Sequence, residues 1–223
     1  MTGSTPVLII EDHELLAQSL ELALRAQGMA AQRVSGVGRS EVLSTAAALQ
    51  PGLVLLDLDL GGEKSGLQLI EPLRAGGSVV LMLTGVTDRV RLAECIEAGA
   101  IGIVRKHQPL DQLVEAIAEA ADGRPPLTRA QRDELLAELR RHRADRQRRL
   151  APFERLTNTE QAVLAALVEG RTAEAIAADR YVSIATVRSQ IRSILRQLGV
   201  NSQLEAVAAA RRAGWSGPGE NAR

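Results

Sequence analysis

The run Leu53-Val54-Leu55-Leu56 constrains the fold of this chain more than any other four residues. Four consecutive apolar residues, with Pro51-Gly52 before them and Gly61-Gly62 after, read as a short strand buried on both faces. Such a strand needs helices above and below it, which points to a parallel sheet in an α/β unit. The run ends in Asp57, with Leu58 and Asp59 following. Ligands of open parallel sheets bind beyond the carboxyl ends of the strands, so Asp57 stands where chemistry is done. Taken alone, it could also be an acid that merely closes a strand.

The neighbouring stretches repeat the pattern. Val7-Leu8-Ile9-Ile10 is a second apolar run, ending in Glu11-Asp12. Val79 to Leu83 is a third, ending in Thr84-Gly85, and Ile101 to Val104 a fourth, ending in Arg105-Lys106. A weaker strand is expected near Ala31 to Val34. Helical spacing of apolar residues predicts helices over about 14–27, 40–49, 66–75, 88–98 and 109–121. Strand and helix alternate five times, as in a doubly wound parallel sheet. Glu11, Asp12, Asp57, Thr84 and Lys106 then converge on one sheet edge. Clustered carboxylates raise one another's pKa, and a hard divalent cation such as Mg²⁺ relieves the repulsion. Lys106 and Thr84 add a positive charge and a hydroxyl donor for phosphoryl oxygens, so the edge suits phosphoryl transfer with Asp57 as nucleophile. His13 reads as a solvated residue at a helix start, and Cys95 as a buried thiol in an apolar stripe.

Composition narrows the partners. The 223 residues are 45% hydrophobic but only 1% aromatic, which tells against base-stacking nucleic-acid folds. No apolar run has the ~20 residues of a membrane helix, no signal-peptide pattern opens the chain, and a single cysteine excludes an internal disulfide. A cytoplasmic setting is expected. The zero net charge hides an asymmetry: 16 acids against 9 bases up to Asp122, but 5 against 10 over residues 123–155. One end is suited to a cation and the other to a polyanion.

Gly123-Arg124-Pro125-Pro126 closes the first part, and residues 130–150 predict an arginine-rich helix ended by Ala151-Pro152. Its short stripe of Leu135, Leu136 and Leu139 is expected on a solvated linker rather than in a coiled-coil seam. Thr157-Asn158-Thr159-Glu160 is a capping box. Three helices follow, with a tight turn at Asp179 to Val182 and Ser183 capping the third, over residues 184–198; a fourth covers 203–212. This is a helix-turn-helix pattern. On the third helix Val187, Ile191, Ile194 and Leu198 share one face, and Arg188, Ser189, Arg192, Ser193 and Arg196 the other, with Gln190 at the edge. A cationic face without acids points to a DNA groove, with Arg188, Ser189, Gln190, Arg192 and Arg196 as candidate contacts.

Glu11-Asp12, Leu55-Leu56-Asp57, Leu83-Thr84-Gly85 and Lys106 together resemble the signature of a response-regulator receiver domain. The resemblance implies a flavodoxin-like (βα)₅ fold and phosphorylation of Asp57 by a sensor histidine kinase. It also implies Mg²⁺ held by Glu11, Asp12, Asp57 and the backbone carbonyl of Asp59, while the Asp59 side chain is expected to face solvent. Leu156-Thr157, Glu160, Val163-Leu164, Gly170, Ile176-Ala177, Ser183, Thr186-Val187 and Leu198-Gly199-Val200 resemble the LuxR-type helix-turn-helix of NarL/FixJ-like regulators. That implies a recognition helix at residues 184–198, a homodimer contact from the fourth helix and an inverted-repeat site in double-stranded DNA. The chain departs from the pattern at Glu11, in the loop 61–66, and at Ile103, a switch position where the family carries an aromatic ring. In the second part it departs at Ala175, Arg180, Arg188, Gln190 and Gln197.

The expected organisation is a receiver at 1–122, a linker at 123–155, a DNA-binding domain at 156–214 and a tail at 215–223. The expected function is that of a phosphorylation-controlled transcription factor, not an enzyme. Two rivals stay open: an atypical receiver that controls DNA binding without phosphorylation, and a Mg²⁺-dependent phosphohydrolase with an aspartate nucleophile.

Overall fold

The buried apolar runs become the strands of a single parallel sheet in the computed structural model, which describes residues 6–34, 36, 38–60 and 66–217. The strands are β1 (Val7–Ile10), β2 (Ala31–Arg33), β3 (Leu53–Asp57), β4 (Val79–Thr84) and β5 (Gly102–Arg105), in the order β2-β1-β3-β4-β5. Helices α1 (Glu14–Ala26), α2 (Arg39–Leu49), α3 (Leu67–Ala75), α4 (Arg89–Ala98) and α5 (Leu110–Ala121) alternate with them. Every residue of β1 and β3 is buried, as expected of strands covered on both faces. Alternate residues feed two cores. Val7, Ile9, Leu53, Leu55, Leu81 and Leu83 meet Leu20 and Leu24 of α1 and Val114 and Ile117 of α5. Leu8, Ile10, Val54, Leu56, Val80 and Met82 meet the helices on the opposite face, through Val42, Ile70, Leu73, Leu92 and Ile96.

Two compact units are resolved, residues 1–140 and 141–223. The long α6 (Arg129–Glu154) gives its first turns to the one and its last to the other. The stripe read as solvated is seated within the first unit: Leu135 is 7% and Leu139 1% exposed, both packed into the core on the α3–α4 face. Polar contacts fix the seat. Arg132 donates to the carbonyls of Ile96 and Ala100 at the end of α4, at 3.1 and 3.2 Å. Arg89 at the start of α4 pairs with Glu134 at 3.1 Å and Glu138 at 2.7 Å. Helix α6 also runs through Pro152 to Glu154, past the expected end. Proline forfeits one helical hydrogen bond; here Leu150 and Phe153 on either side are buried in the second core, and Phe153 stacks on Trp215 at 5.6 Å.

The second unit continues with α7 (Asn158–Val168), α8 (Ala173–Asp179), α9 (Ile184–Leu198) and α10 (Gln203–Ala213). Thr157, Thr172, Ser183 and Ser202 each cap the following helix through a side-chain oxygen. The capping box at Thr157 is also a tertiary joint. Glu160 accepts from Thr157 N at 2.9 Å, Thr157 Oγ1 at 2.8 Å and Gln197 Nε2 at 2.9 Å, so α7 is tied to α9. Burial works to raise the Glu160 pKa, but hydrogen bonds from Ser193, Thr157 and Gln197 win and hold it at about 2. A depressed carboxylate stabilises the fold above its unfolded pKa, and that contribution is lost as pH falls through the folded value. Glu160→Ala is therefore expected to cost about 1–3 kcal/mol at pH 7. Glu160→Gln should flatten the loss of stability between about pH 5 and pH 2; thermal melts across that range check both.

Candidate functional site

Strands β1 and β3 are neighbours, with Ile10 beside Leu56, and the sheet order reverses there. This is the topological switch point, where a crevice opens beyond the strand ends. It brings together Glu11 and Asp12 after β1, Asp57 at the end of β3, Thr84 at the end of β4 and Lys106 after β5. The Glu11 and Asp57 side chains are 0% and 1% exposed. Lys106 Nζ lies 2.7 Å from Glu11 Oε2 and 2.8 Å from Asp57 Oδ2, so one ammonium bridges the two buried carboxylates. Burial pushes the Asp57 carboxyl up to about 6, against the pull of Lys106 and with the repulsion of Glu11.

One cation does not saturate this cluster. Glu11 Oε2 and Asp57 Oδ2 are buried without an aligned hydrogen-bond donor. Oxygens of Glu11, Asp12 and Asp57 and a ring nitrogen of His13 lie within 4.8 Å of one another. Three carboxylates gathered around a single ammonium are hard oxygen donors whose charge it does not balance, and they fit a hard divalent ion. His13 is 71% exposed, as expected, yet its Nδ1 lies 2.8 Å from both Glu11 Oε1 and Asp12 Oδ1. Only its adjacency to the acids signalled that in the sequence.

The Asp59 N–H donates to Asp57 Oδ1 at 3.2 Å, while its side chain turns outward to Arg91 of α4 at 2.7 Å. Arg91 is a participant that the sequence did not single out, being 32 residues away. Gly66 closes the other side: its N–H bonds to the Leu58 carbonyl, and a Cβ there would lie 2.0 Å from the Asp57 carbonyl oxygen. The altered loop at 61–65 lies outside the described residues. Thr84 is fully buried, its Oγ1 accepting from Val86 N at 3.0 Å. Ile103 lines a cavity of about 240 Å³ with Leu92 and Leu135, under the first turns of α6.

The second unit carries a separate polar face on α9. Val187, Ile191 and Ile194 are buried, while Arg188, Ser189, Arg192 and Arg196 are exposed. Arg188 pairs with Glu174 of α8 at 3.1 Å. Gln190 is half-buried, and its Oε1 lacks a hydrogen-bond partner.

Comparison with known proteins agrees with both halves. Residues 7–118 match the family described as response regulator receiver domain, and residues 154–210 match bacterial regulatory proteins, luxR family. The chain is 29% identical over 208 residues to the transcriptional regulatory protein LiaR of Bacillus subtilis, covering 92% of this chain and 96% of LiaR. It is 30% identical over 208 residues to a nitrate/nitrite response regulator protein homolog of Haemophilus influenzae, again covering 92% and 96%. The same fold occurs in RcsB of Salmonella enterica serovar Typhimurium, solved bound to a promoter with the phosphomimetic BeF3-. There the TM-score is 0.50 and identity 22%, over 93% of this chain and 98% of RcsB.

Proposed function

The chain belongs to the NarL/FixJ family of response regulators, DNA-binding transcription factors rather than enzymes, and from that premise we propose that its output is set by phosphorylation of Asp57. The observation that carries this reading is the buried Asp57 carboxylate at the end of β3, with Lys106 at 2.8 Å and the acids Glu11 and Asp12 gathered beside it. A sensor histidine kinase is the expected donor. An Asp57 oxygen forms the new P–O bond as the bond from phosphorus to the donor nitrogen breaks, and the leaving imidazole departs protonated. Lys106 is placed to neutralise the incoming phosphoryl oxygens, and the Thr84 hydroxyl to donate to one after leaving Val86. Mg²⁺ bound by Glu11, Asp12, Asp57 and the Asp59 carbonyl would lower the charge repulsion and the Asp57 pKa.

The rest of the reading follows the domain order expected from the sequence: receiver 1–122, linker 123–155, DNA-binding domain 156–214. Arg188, Ser189, Gln190, Arg192 and Arg196 contact DNA, and the orphaned Gln190 oxygen gives that amide a reason to turn toward a donor on a base. The phosphorylated form works in the cytoplasm as a homodimer on an inverted repeat. No described helix is long and apolar enough to cross a membrane.

The test is labelling with acetyl phosphate and Mg²⁺, followed by mass measurement and DNA titration of labelled and unlabelled protein. Stoichiometric labelling with tighter DNA binding is expected. Failure to label would favour a receiver controlled without phosphorylation. Ile103→Tyr adds a second arm, since the cavity beside Ile103 has room for a ring that could follow Thr84. The variant is expected to enlarge the ratio of labelled to unlabelled affinity; a ratio equal to the wild type's would mean that no coupling was missing.

A further inference from the structure

The entrance to α9 holds three large apolar side chains in water. Tyr181 is 96%, Val182 40% and Ile184 42% exposed, and the second unit has one other exposed large apolar residue among the described ones, Leu204. Isolated exposed apolar residues are ordinary, but three within four positions form a patch. The backbone adds a second observation. Tyr181 has φ 54°, a left-handed conformation that non-glycine residues adopt at a cost, and strain of this kind gathers at functional sites. This turn closes α8 through Val182 N to the Ala177 carbonyl at 3.0 Å and sets Ser183 to cap α9.

What covers the patch follows from the helix it opens. Ile184, Arg188, Arg192 and Arg196 stand at four-residue intervals, so they form one ridge along α9. No acid lies on that helix. The apolar patch is thus the N-terminal end of a cationic ridge, and its continuity with the arginines makes a nucleic-acid duplex the fitting occupant. N-terminal residues of a recognition helix reach base edges. The one apolar group on a base edge in the major groove is the thymine C5-methyl.

We propose that Ile184 is a specificity-determining residue whose side chain packs on a thymine methyl in the major groove, with Val182 closing the contact against water. The proposal rests on the reading that α9 enters that groove.

The experiment uses the full chain and a duplex selected from a random-sequence pool by binding. Each thymine of one half-site is replaced in turn by deoxyuridine, which deletes only the methyl. One position is expected to lose roughly fourfold in affinity, the equivalent of one buried methyl group. Ile184→Ala should bind the thymine duplex about that much more weakly and become indifferent to deoxyuridine there, whereas Arg188→Ala should keep the methyl sensitivity. Ile184 is exposed and opens its helix, so the variant should retain its helicity and its affinity for scrambled DNA; Ile184→Ser is the substitute if Ala fails to fold. Wild-type protein indifferent to every methyl, or an Ile184 variant that keeps the full penalty, overturns the proposal. If Arg188→Ala and Arg196→Ala also leave binding unchanged, the groove reading itself has failed, which is a distinct result.

Discussion

Asp57→Asn is expected to take up no phosphoryl group from acetyl phosphate while keeping the first unit folded. The amide is nearly isosteric with the carboxylate, and the site is 1% exposed, so the packing around β3 is preserved. What changes is chemistry and charge. An amide oxygen is a poor nucleophile, and the loss of one negative charge leaves Lys106 paired with Glu11 alone. Removal of a carboxylate donor should weaken Mg²⁺ binding on the order of tenfold or more, readable by calorimetry without any phosphodonor. Thermal stability without metal should hold or rise, because burial disfavours the ionised Asp57 carboxylate, with Glu11 adding repulsion, by more than Lys106 favours it. The decisive measurement is intact mass after incubation with the phosphodonor. Full labelling of the Asn variant would place the nucleophile elsewhere.

The sheet and its acidic edge were legible because burial leaves a local mark. An apolar run followed by a polar residue is readable within seven positions, and Val7–Ile10, Leu53–Asp57 and Val79–Thr84 all carry it. The cap residues are local too, and Thr157 and Ser183 cap their helices as expected. What stayed hidden depends on partners far along the chain. The seat of α6 needs Arg89 to find Glu134 and Glu138, 45 and 49 residues away, and Leu139 to find the sheet's core. From the sequence alone, that stripe has no visible partner and reads as solvated. Asp59 and Arg91 pose the same difficulty at 32 residues. Pro152 misleads for a different reason: local propensity argues for a stop, and the tertiary burial of Phe153 overrides it.

If α9 enters a DNA groove as proposed, its arginines are expected to divide the labour of recognition by their depth along the helix, and replacing them one at a time should separate the two roles. Arg188 sits one turn into α9, on the ridge that Ile184 opens, with its guanidinium steadied by Glu174 at 3.1 Å. A planar donor fork held in place is suited to the two acceptors on a guanine edge. Arg196 lies two turns farther on, near the helix end, where side chains of a recognition helix meet phosphates. Arg188→Ala should therefore cost about 1–3 kcal/mol on the selected duplex and much less on a scrambled one. Arg196→Ala should weaken both duplexes alike and reduce the slope of log K against log salt by about one unit. Both side chains are exposed, so neither change should disturb the core that Val187, Ile191 and Ile194 build. Titrations at several salt concentrations on both duplexes give the answer. Equal losses for Arg188→Ala on the selected and scrambled duplexes would reduce Arg188 to a phosphate contact and leave the reading of sequence to its neighbours on the ridge.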